Sequence, residues 1–166
     1  MSPDTKAGIA TKVFEIYIKA MPQAIWDAIT TPEWTAKYGY QGPAEYDLRP
    51  GGTYRARATA GMRAAGLPEV VVDGAVIEAD PPRRLVHTYR FLFTEENKTE
   101  GFTRVTWEIE KVSANFSRLT VTHELENAPI MAGMVTSRFS EEGAGGWHWI
   151  LSDLKTLLET GKTMGD

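Results

Sequence analysis

The three histidines are the residues whose type most directly suggests chemistry. His87 and His123 lie in alternating, strand-like segments, and His148 stands between two tryptophans near the end of the chain. No two of them have the i, i+4 or H-x-H spacing that brings two imidazoles onto one ion. His123 is followed by a glutamate, but Asn127 occupies the position of the second histidine of HExxH. The sequence therefore predicts no metal site and no cofactor.

Other catalytic motifs fail on their spacing. Gly161-Lys162-Thr163 resembles the end of a phosphate-binding loop, but Thr156 stands where the first glycine belongs, and a helix precedes the segment. The glycines of GAGG (143–146) lead into a helix, yet no strand runs into them as in dinucleotide-binding folds. No nucleophile elbow is present. We predict no catalytic residue, while acid–base work by His123, Tyr54 or Tyr89 on a bound ligand stays open.

Composition narrows the function classes. The 166 residues carry a formal net charge of −4, from 18 basic and 22 acidic residues, and include no cysteine. A mildly acidic chain does not favour nucleic-acid binding, and no apolar run approaches the about 20 residues of a membrane-spanning helix. The first residues, MSPDTKAG, are polar and lack a signal-peptide core. We expect a cytoplasmic protein without nucleic-acid partners or a membrane span.

Hydrophobic periodicity predicts a strand, two short helices, a run of strands and a long helix. Residues 11–19 alternate as a strand, and two proline-initiated helices are predicted within 21–38. The following strands are predicted over 44–49, 52–60, 68–79, 83–93, 101–112 and 116–125. Short turn segments between most of them indicate antiparallel hairpins. Residues 61–69 are expected to form a flexible loop, and 127–142 fit either a loop or a short helix.

The C-terminal segment supplies the element that covers the sheet. Trp147, Ile150, Leu151, Leu154 and further leucines recur at helical spacing up to a natural stop at Gly161. We predict an α+β helix-grip fold, in which a curved antiparallel sheet of about six to seven strands wraps around this helix. One domain over 11–161 would then lie between tails at 1–10 and 162–166.

Alternation within the strands predicts a largely apolar inner face with a few polar groups. Three alanines at 56, 58 and 60 leave space there, while histidine rings and tyrosine hydroxyls interrupt the apolar wall. Such a wall suits a small-molecule site. These polar groups could equally be core side chains bonded to internal partners. The candidate ligand-binding residues are Trp34, Tyr54, Ala56, Ala58, His87, Tyr89, Phe91, Trp107, Val121, His123, Trp147 and Leu151.

Several segments in this order resemble the START-like (SRPBCC, Bet v 1-like) superfamily and, within it, the group named after the activator of heat-shock protein 90 ATPase. The segments are IKAMPQAIWDAITTPE (18–33), DLRPGGTYR (47–55), VDGAVIEADPPRRLVHTY (72–89), TRVTWEIE (103–110), SRLTVTHEL (117–125) and GWHWILSDLKTLLETG (146–161).

The resemblance implies the helix-grip fold but no fixed activity. Members of the superfamily bind lipids, sterols, hormones and polyketides, and a minority are enzymes. The co-chaperones that gave the group its name carry an additional N-terminal domain, for which these 166 residues leave no room, so we do not expect their activity to transfer with the fold alone. The resemblance supplies no catalytic residue to assign.

Three functions stay in competition. The first is a small-molecule binding protein with a cavity between sheet and C-terminal helix, acting as a monomer or homodimer. The second is a protein-interaction module, with a chaperone as a candidate partner, which predicts an exposed apolar patch at Met131, Met134 and Phe139. The third is a cyclase- or hydrolase-like enzyme that uses His123 or His87 as a base.

Overall fold

The computed structural model describes residues 11–141 and 143–166, which form one seven-stranded sheet and six helices. In chain order the elements are β1 (Thr11–Ile18), α1 (Pro22–Thr30), α2 (Pro32–Thr35), β2 (Ala44–Tyr46), β3 (Thr53–Arg57), α3 (Ala60–Ala64), β4 (Val70–Asp80), β5 (Arg84–Phe91), α4 (Glu95–Glu100), β6 (Thr103–Lys111), β7 (Ser117–Glu124), α5 (Pro129–Val135) and α6 (Gly146–Thr160).

The sheet is antiparallel throughout, with the strand order β1-β7-β6-β5-β4-β3-β2. Strands β2 to β7 pair with their neighbours in sequence because the connections between them are short. The first strand instead pairs along its whole length with the last, from Thr11 opposite Glu124 to Ile18 opposite Ser117. The predicted sheet is therefore confirmed, with seven strands.

Helix α6 covers the inner face of this sheet. Its apolar stripe is buried, and Trp147, Leu151 and Leu154 are each at most 3% exposed. The helix ends where Gly161 adopts a left-handed conformation, with φ 81°, and donates its amide to the Leu157 carbonyl. This is the predicted helix-grip arrangement. Among the residues described here, no helix is long and apolar enough to cross a membrane.

Two segments that the sequence places in loops are short helices. β3 ends at Arg57 and α3 begins at Ala60, so Ala60 is exposed on a helix and does not lie on the inner face of a strand. The second is α4, where a turn is predicted from the polar run 95–98. A threonine caps the N-terminus of each helix: the hydroxyl of Thr59 or Thr94 accepts the amide N–H of the residue three positions later.

The ambiguous segment 127–142 contains α5. Met131 on this helix is only 1% exposed, so it does not belong to the predicted exposed patch, whereas Met134 and Phe139 are 37% and 55% exposed. Two oxygens of the Glu100 carboxylate accept the amides of Ile130 and Met131 in the first turn of α5. This charge at the helix N-terminus fixes α5 against the end of α4.

Candidate ligand-binding site

A cavity of about 1090 Å³ lies between the sheet and the helices. Its wall includes side chains of five strands, β2 to β6, and of the helices α3, α5 and α6. Its volume is slightly above the range of roughly 300–1,000 Å³ that is typical of small-molecule pockets. The cavity arises because the sheet curves around α6 while small residues, such as Ala44 and Ala56, stand on the wall of β2 and β3.

A row of tyrosine rings forms one wall. Tyr46 and Tyr54 stack with ring centroids 4.6 Å apart and planes inclined by 25°, and Tyr54 lies 6.0 Å from Tyr89 at 12°. Strand β4 runs between the strands of Tyr54 and Tyr89, and the residue opposite Tyr54 there is Gly74. A side chain at Gly74 would collide with the Thr88 carbonyl, 1.9 Å from an added Cβ. The two rings meet across a position that only glycine can occupy.

The tyrosine hydroxyls are the polar groups that this wall offers to the cavity. Every side-chain N or O atom that is fully buried among the described residues has a hydrogen-bond partner. The Tyr89 hydroxyl bonds to no described residue, and the Tyr89 side chain lines the cavity. Burial raises the pKa of Tyr46, Tyr54 and Tyr89 above its usual value. The three phenols are therefore uncharged hydrogen-bonding groups.

His87 lies behind this wall, and both of its ring nitrogens are engaged. The indole Nε1–H of Trp107 donates to His87 Nε2 at 3.0 Å, and His87 Nδ1 lies 2.9 Å from the Thr88 carbonyl oxygen. Because an indole only donates and a carbonyl only accepts, the ring is neutral and carries its proton on Nδ1. Burial lowers the pKa of His87 to about 4.

His123 makes the corresponding contacts with α6 and β6. Trp147 Nε1–H donates to His123 Nδ1 at 3.0 Å, and Nε2 lies 2.8 Å from the Thr103 hydroxyl, which donates to the Tyr89 carbonyl at 2.9 Å. Because the Thr103 hydroxyl donates its proton to that carbonyl, its oxygen must accept from His123, and the proton of the His123 ring is therefore on Nε2. Burial, followed by the proximity of His87, lowers the pKa of His123 to about 3.

These hydrogen bonds favour a structural role over a catalytic role for His87 and His123. A general base needs a free nitrogen that faces its substrate, whereas each nitrogen of His87 and His123 is bonded within the protein and each ring is 0% exposed. Among residues 11–141 and 143–166, no three His, Asp or Glu side chains form a group that could hold a metal ion. The arrangement therefore offers no free proton acceptor on His87 or His123.

The structure divides the predicted site residues between the cavity wall and the surrounding core. Lining the cavity are Tyr54, Ala56, Tyr89, Phe91, Trp107 and Trp147. Behind or beside it lie Ala58, His87, Val121, His123 and Leu151, all buried, and Trp34, which is half-buried on α2 beneath the Lys37 ammonium. Whether the lining residues contact a ligand stays a prediction.

Several lining residues escape the prediction. Tyr46 lies two residues after Ala44 on the short strand β2, and the two therefore share a face. The period of two that identified the other strands would have placed Tyr46 on the wall. Ile150 faces the cavity one position before the predicted Leu151, because a helix turns 100° per residue and the stripe is wider than a line. Tyr38 and Tyr40 come from the loop after α2, which has no periodic pattern.

Buried hydrogen bonds fix that loop to α6. The Asp153 carboxylate is 5% exposed and accepts the amide of Gly39 at 2.9 Å through one oxygen and that of Met164 at 2.8 Å through the other. The Tyr38 hydroxyl donates to the Ala28 carbonyl of α1. This edge of the cavity is therefore built by α1, α6 and the residues after α2 together.

The junction of α5 and α6 adjoins this edge of the cavity, since the Gly146 amide donates to the Tyr40 hydroxyl at 3.3 Å. Gly146, the first residue of α6, has φ 60°, and a Cβ there would lie 2.2 Å from the Val135 carbonyl oxygen at the end of α5. Glycine is required both by the left-handed backbone and by the close approach. The adjacent Trp147 is thereby placed between His123 and the cavity.

The sequence model described as "Activator of Hsp90 ATPase homolog 1-like protein" matches residues 19–159. Comparison with curated proteins gives no significant match.

Solved structures share the fold at low identity. The Aha1 dimer from Colwellia psychrerythraea has 23% identity and a TM-score of 0.64, with 92% of this chain and 98% of that chain covered. PFC0360w, an HSP90 activator from Plasmodium falciparum, has 18% identity and a TM-score of 0.54, with 94% and 91% covered. CalU16 from Micromonospora echinospora has 18% identity and a TM-score of 0.53; 72% of this chain matches 63% of that one.

Proposed function

Within the activator of Hsp90 ATPase homolog 1-like family, to which the chain belongs, we propose that this protein binds a small apolar or aromatic molecule between the sheet and α6. The observation that carries the proposal is the cavity of about 1090 Å³, walled by stacked aromatic rings and bordered by the Tyr89 hydroxyl, which bonds to no residue that the structure describes. Apolar rings supply affinity, and a few placed polar groups supply orientation. A cytoplasmic location and a monomeric or homodimeric state belong to the same proposal.

The experiment is a titration with N-phenyl-1-naphthylamine, an uncharged probe that fluoresces when it enters an apolar site. We expect saturable binding, with one probe per chain in native mass spectrometry. Ala56 lines the cavity, so Ala56→Phe fills it and should abolish binding. Ala75→Phe, an exposed position on β4, is the matched control and should bind normally. A wild-type chain that binds no probe, or an Ala56→Phe chain that binds as well as the control, contradicts the proposal.

The second candidate is a chaperone-associated module. Family membership and the likeness to the Aha1 and HSP90-activator structures favour it, and Ile130, Met134 and Phe139 offer exposed apolar contact surface on α5 and after it. Its test is the ATPase rate of purified Hsp90 with and without the protein. Stimulation that Met134→Ser with Phe139→Ser abolishes would support this function; an unchanged rate counts against it.

The enzymatic alternative finds less support. Both histidines that were candidate bases are neutral, buried and bonded on each nitrogen. A hydrolase or cyclase at this site would need another base.

A further inference from the structure

The charged side chains that line the cavity indicate which ligands it can accept. Among the described residues that line it, the only charged side chain is Glu141, which is exposed on the loop before α6. No described lysine or arginine lines the wall. A buried anionic group of a ligand would therefore lose its hydration without gaining a cation, and a charge buried without a partner is costly.

The polar groups on the sheet side of the cavity are also restricted in kind. The indole N–H groups of Trp107 and Trp147 face partners on the protein, because each is used on a histidine. The phenols of Tyr46 and Tyr54 lie within hydrogen-bonding reach of each other, and together with the phenol of Tyr89 they are the hydrogen-bonding groups on the sheet side. A phenol donates one hydrogen bond and accepts others, so it matches a carbonyl, ether or hydroxyl oxygen of a ligand.

The shape of this wall favours a flat molecule. Tyr54 and Tyr89 are nearly parallel, and the Trp147 ring lies 6.1 Å from Tyr89 with an interplanar angle of 33°. Aromatic rings pair with such surfaces in offset-stacked or edge-to-face geometry. Phe91, 5.4 Å from Tyr89, continues the wall.

We propose that the ligand is an uncharged, flat aromatic or polycyclic molecule with an oxygen acceptor that sits against the hydroxyls of Tyr46, Tyr54 and Tyr89, and that anionic ligands are excluded. This inference rests on the proposed function, since it specifies the ligand of the same cavity. It adds a selectivity by charge and a location for the polar end of the ligand.

The charge selectivity is tested with two probes that share one ring system. N-phenyl-1-naphthylamine is neutral, and 8-anilinonaphthalene-1-sulfonate is the same anilinonaphthalene with a sulfonate. We expect the dissociation constant of the sulfonate to be larger by a factor of roughly 100, because its charge lacks a partner in the cavity. Equal affinities overturn the charge selectivity while the proposed function stands. If neither probe binds, the proposed function itself fails. Ala56→Phe distinguishes binding in the cavity from adsorption elsewhere.

The location of the acceptor is tested with 6-propionyl-2-dimethylaminonaphthalene, whose emission shifts to longer wavelength when its carbonyl accepts a hydrogen bond. We expect Tyr89→Phe, Tyr54→Phe or Tyr46→Phe to shift the emission of the bound probe to shorter wavelength and to weaken binding about three- to tenfold. Tyr17→Phe, exposed on the outside of β1, is the control. If all three cavity variants match the control in emission and affinity, the acceptor site is wrong.

Discussion

At the scale of single residues, the two tryptophan–histidine pairs are the clearest departure from an all-apolar interior. Trp107 with His87 links β6 to β5, and Trp147 with His123 links α6 to β7. Each pair satisfies two polar groups that would otherwise be buried without partners. The histidines therefore stabilise the wall of the cavity, and the phenols beside them remain available to a ligand.

The lowered pKa values of His87 and His123 predict acid sensitivity. In the unfolded chain both imidazoles take up a proton near pH 6.5, but the folded chain resists this down to about pH 4 and about pH 3, respectively. The unfolded state thus binds more protons, and stability falls as the pH drops below 6.5. Each histidine contributes a slope of up to about 1.4 kcal/mol per pH unit.

Urea unfolding between pH 7 and pH 5 measures this slope. His87→Gln and His123→Gln should each reduce it, although both should also lower stability at pH 7 because a buried hydrogen-bond pattern is changed. His148→Gln, at an exposed position of α6, serves as the control for the loss of one histidine. A slope that neither buried variant alters would contradict the assignment of both rings as neutral.

The Thr103 hydroxyl predicts a second measurable effect. It receives the His123 Nε2–H and donates to the Tyr89 carbonyl, so Thr103→Val removes the partner of a buried donor and one hydrogen bond of a buried acceptor. We expect a loss of about 1–3 kcal/mol in the free energy of unfolding. Thr106→Val is the same change on the same strand, at a position that is also buried but lies outside this chain of bonds. The prediction is wrong if the two variants lose equal stability.

Alternation places His87 and His123 on the inner face, but it cannot supply their partners. Those partners depend on how the elements are aligned: Trp107 lies opposite Leu85 and reaches His87 diagonally across β5 and β6, while the partner of His123 comes from α6. A slip of two residues would keep every apolar side chain inward and still break the pairs. Whether each imidazole is free or hydrogen-bonded therefore depends on how neighbouring elements are aligned, and no single segment of the sequence specifies that alignment.

At the scale of elements, the contact of α5 with α6 depends on one glycine. Gly146→Ala would place a Cβ 2.2 Å from the Val135 carbonyl oxygen while holding a left-handed backbone. We expect a loss of about 2–4 kcal/mol in the free energy of unfolding and weaker probe binding, since Trp147 must shift. Gly161→Ala at the other end of α6 also has a positive φ but an open surrounding, so it should cost only about 1 kcal/mol. Denaturant unfolding of the two variants compares them, and equal losses would rule out the contact.

The long elements could be predicted because they are long. Over eight to eleven alternating residues, or over four helical turns with a leucine stripe, the hydrophobic period remains recognisable even where single residues depart from it. The helices α3 and α4 have five and six residues, too few for a hydrophobic period to form. Their capping threonines, Thr59 and Thr94, were visible in the sequence, and Thr94 is followed by two glutamates that suit a helix N-terminus. Capping, and not periodicity, was the signal that would have found them.

At the scale of the whole molecule, a ligand held between sheet and helix should stabilise both. A probe that binds the native state alone, at 100 times its dissociation constant, adds about 2.7 kcal/mol. For a chain of this size we expect the melting temperature to rise by roughly 5–10 °C. N-phenyl-1-naphthylamine should produce this shift in calorimetry with the wild type and with Ala75→Phe, and no shift with Ala56→Phe. An equal shift in all three would place the probe outside the cavity.

More of the overall architecture than of the cavity could be predicted from the sequence. Short turns dictate that β2 to β7 pair in sequence order, and the remaining helix must cover the sheet. The pairing of β1 with β7 joins residues that are 99 to 113 positions apart, from Ile18 with Ser117 to Thr11 with Glu124, and it follows only from the resemblance to a known fold. The cavity is less predictable still, because its volume is the space that side chains from ten elements, among them Ile29 of α1 and Thr35 of α2, fail to fill. Ala56 and Leu151 illustrate the two outcomes: both were candidates, but only Ala56 faces the space.

The aromatic pair at the base of the cavity also gives the molecule an optical property. Trp107 and Trp147 meet edge to face at 5.2 Å, and both line the space that a ligand would occupy. A bound chromophore that absorbs where indole emits would lie within a few ångströms of both emitters, and resonance energy transfer at such separations is nearly complete. Occupancy could then be followed from the quenching of intrinsic fluorescence, in dilute solution and without attaching a label.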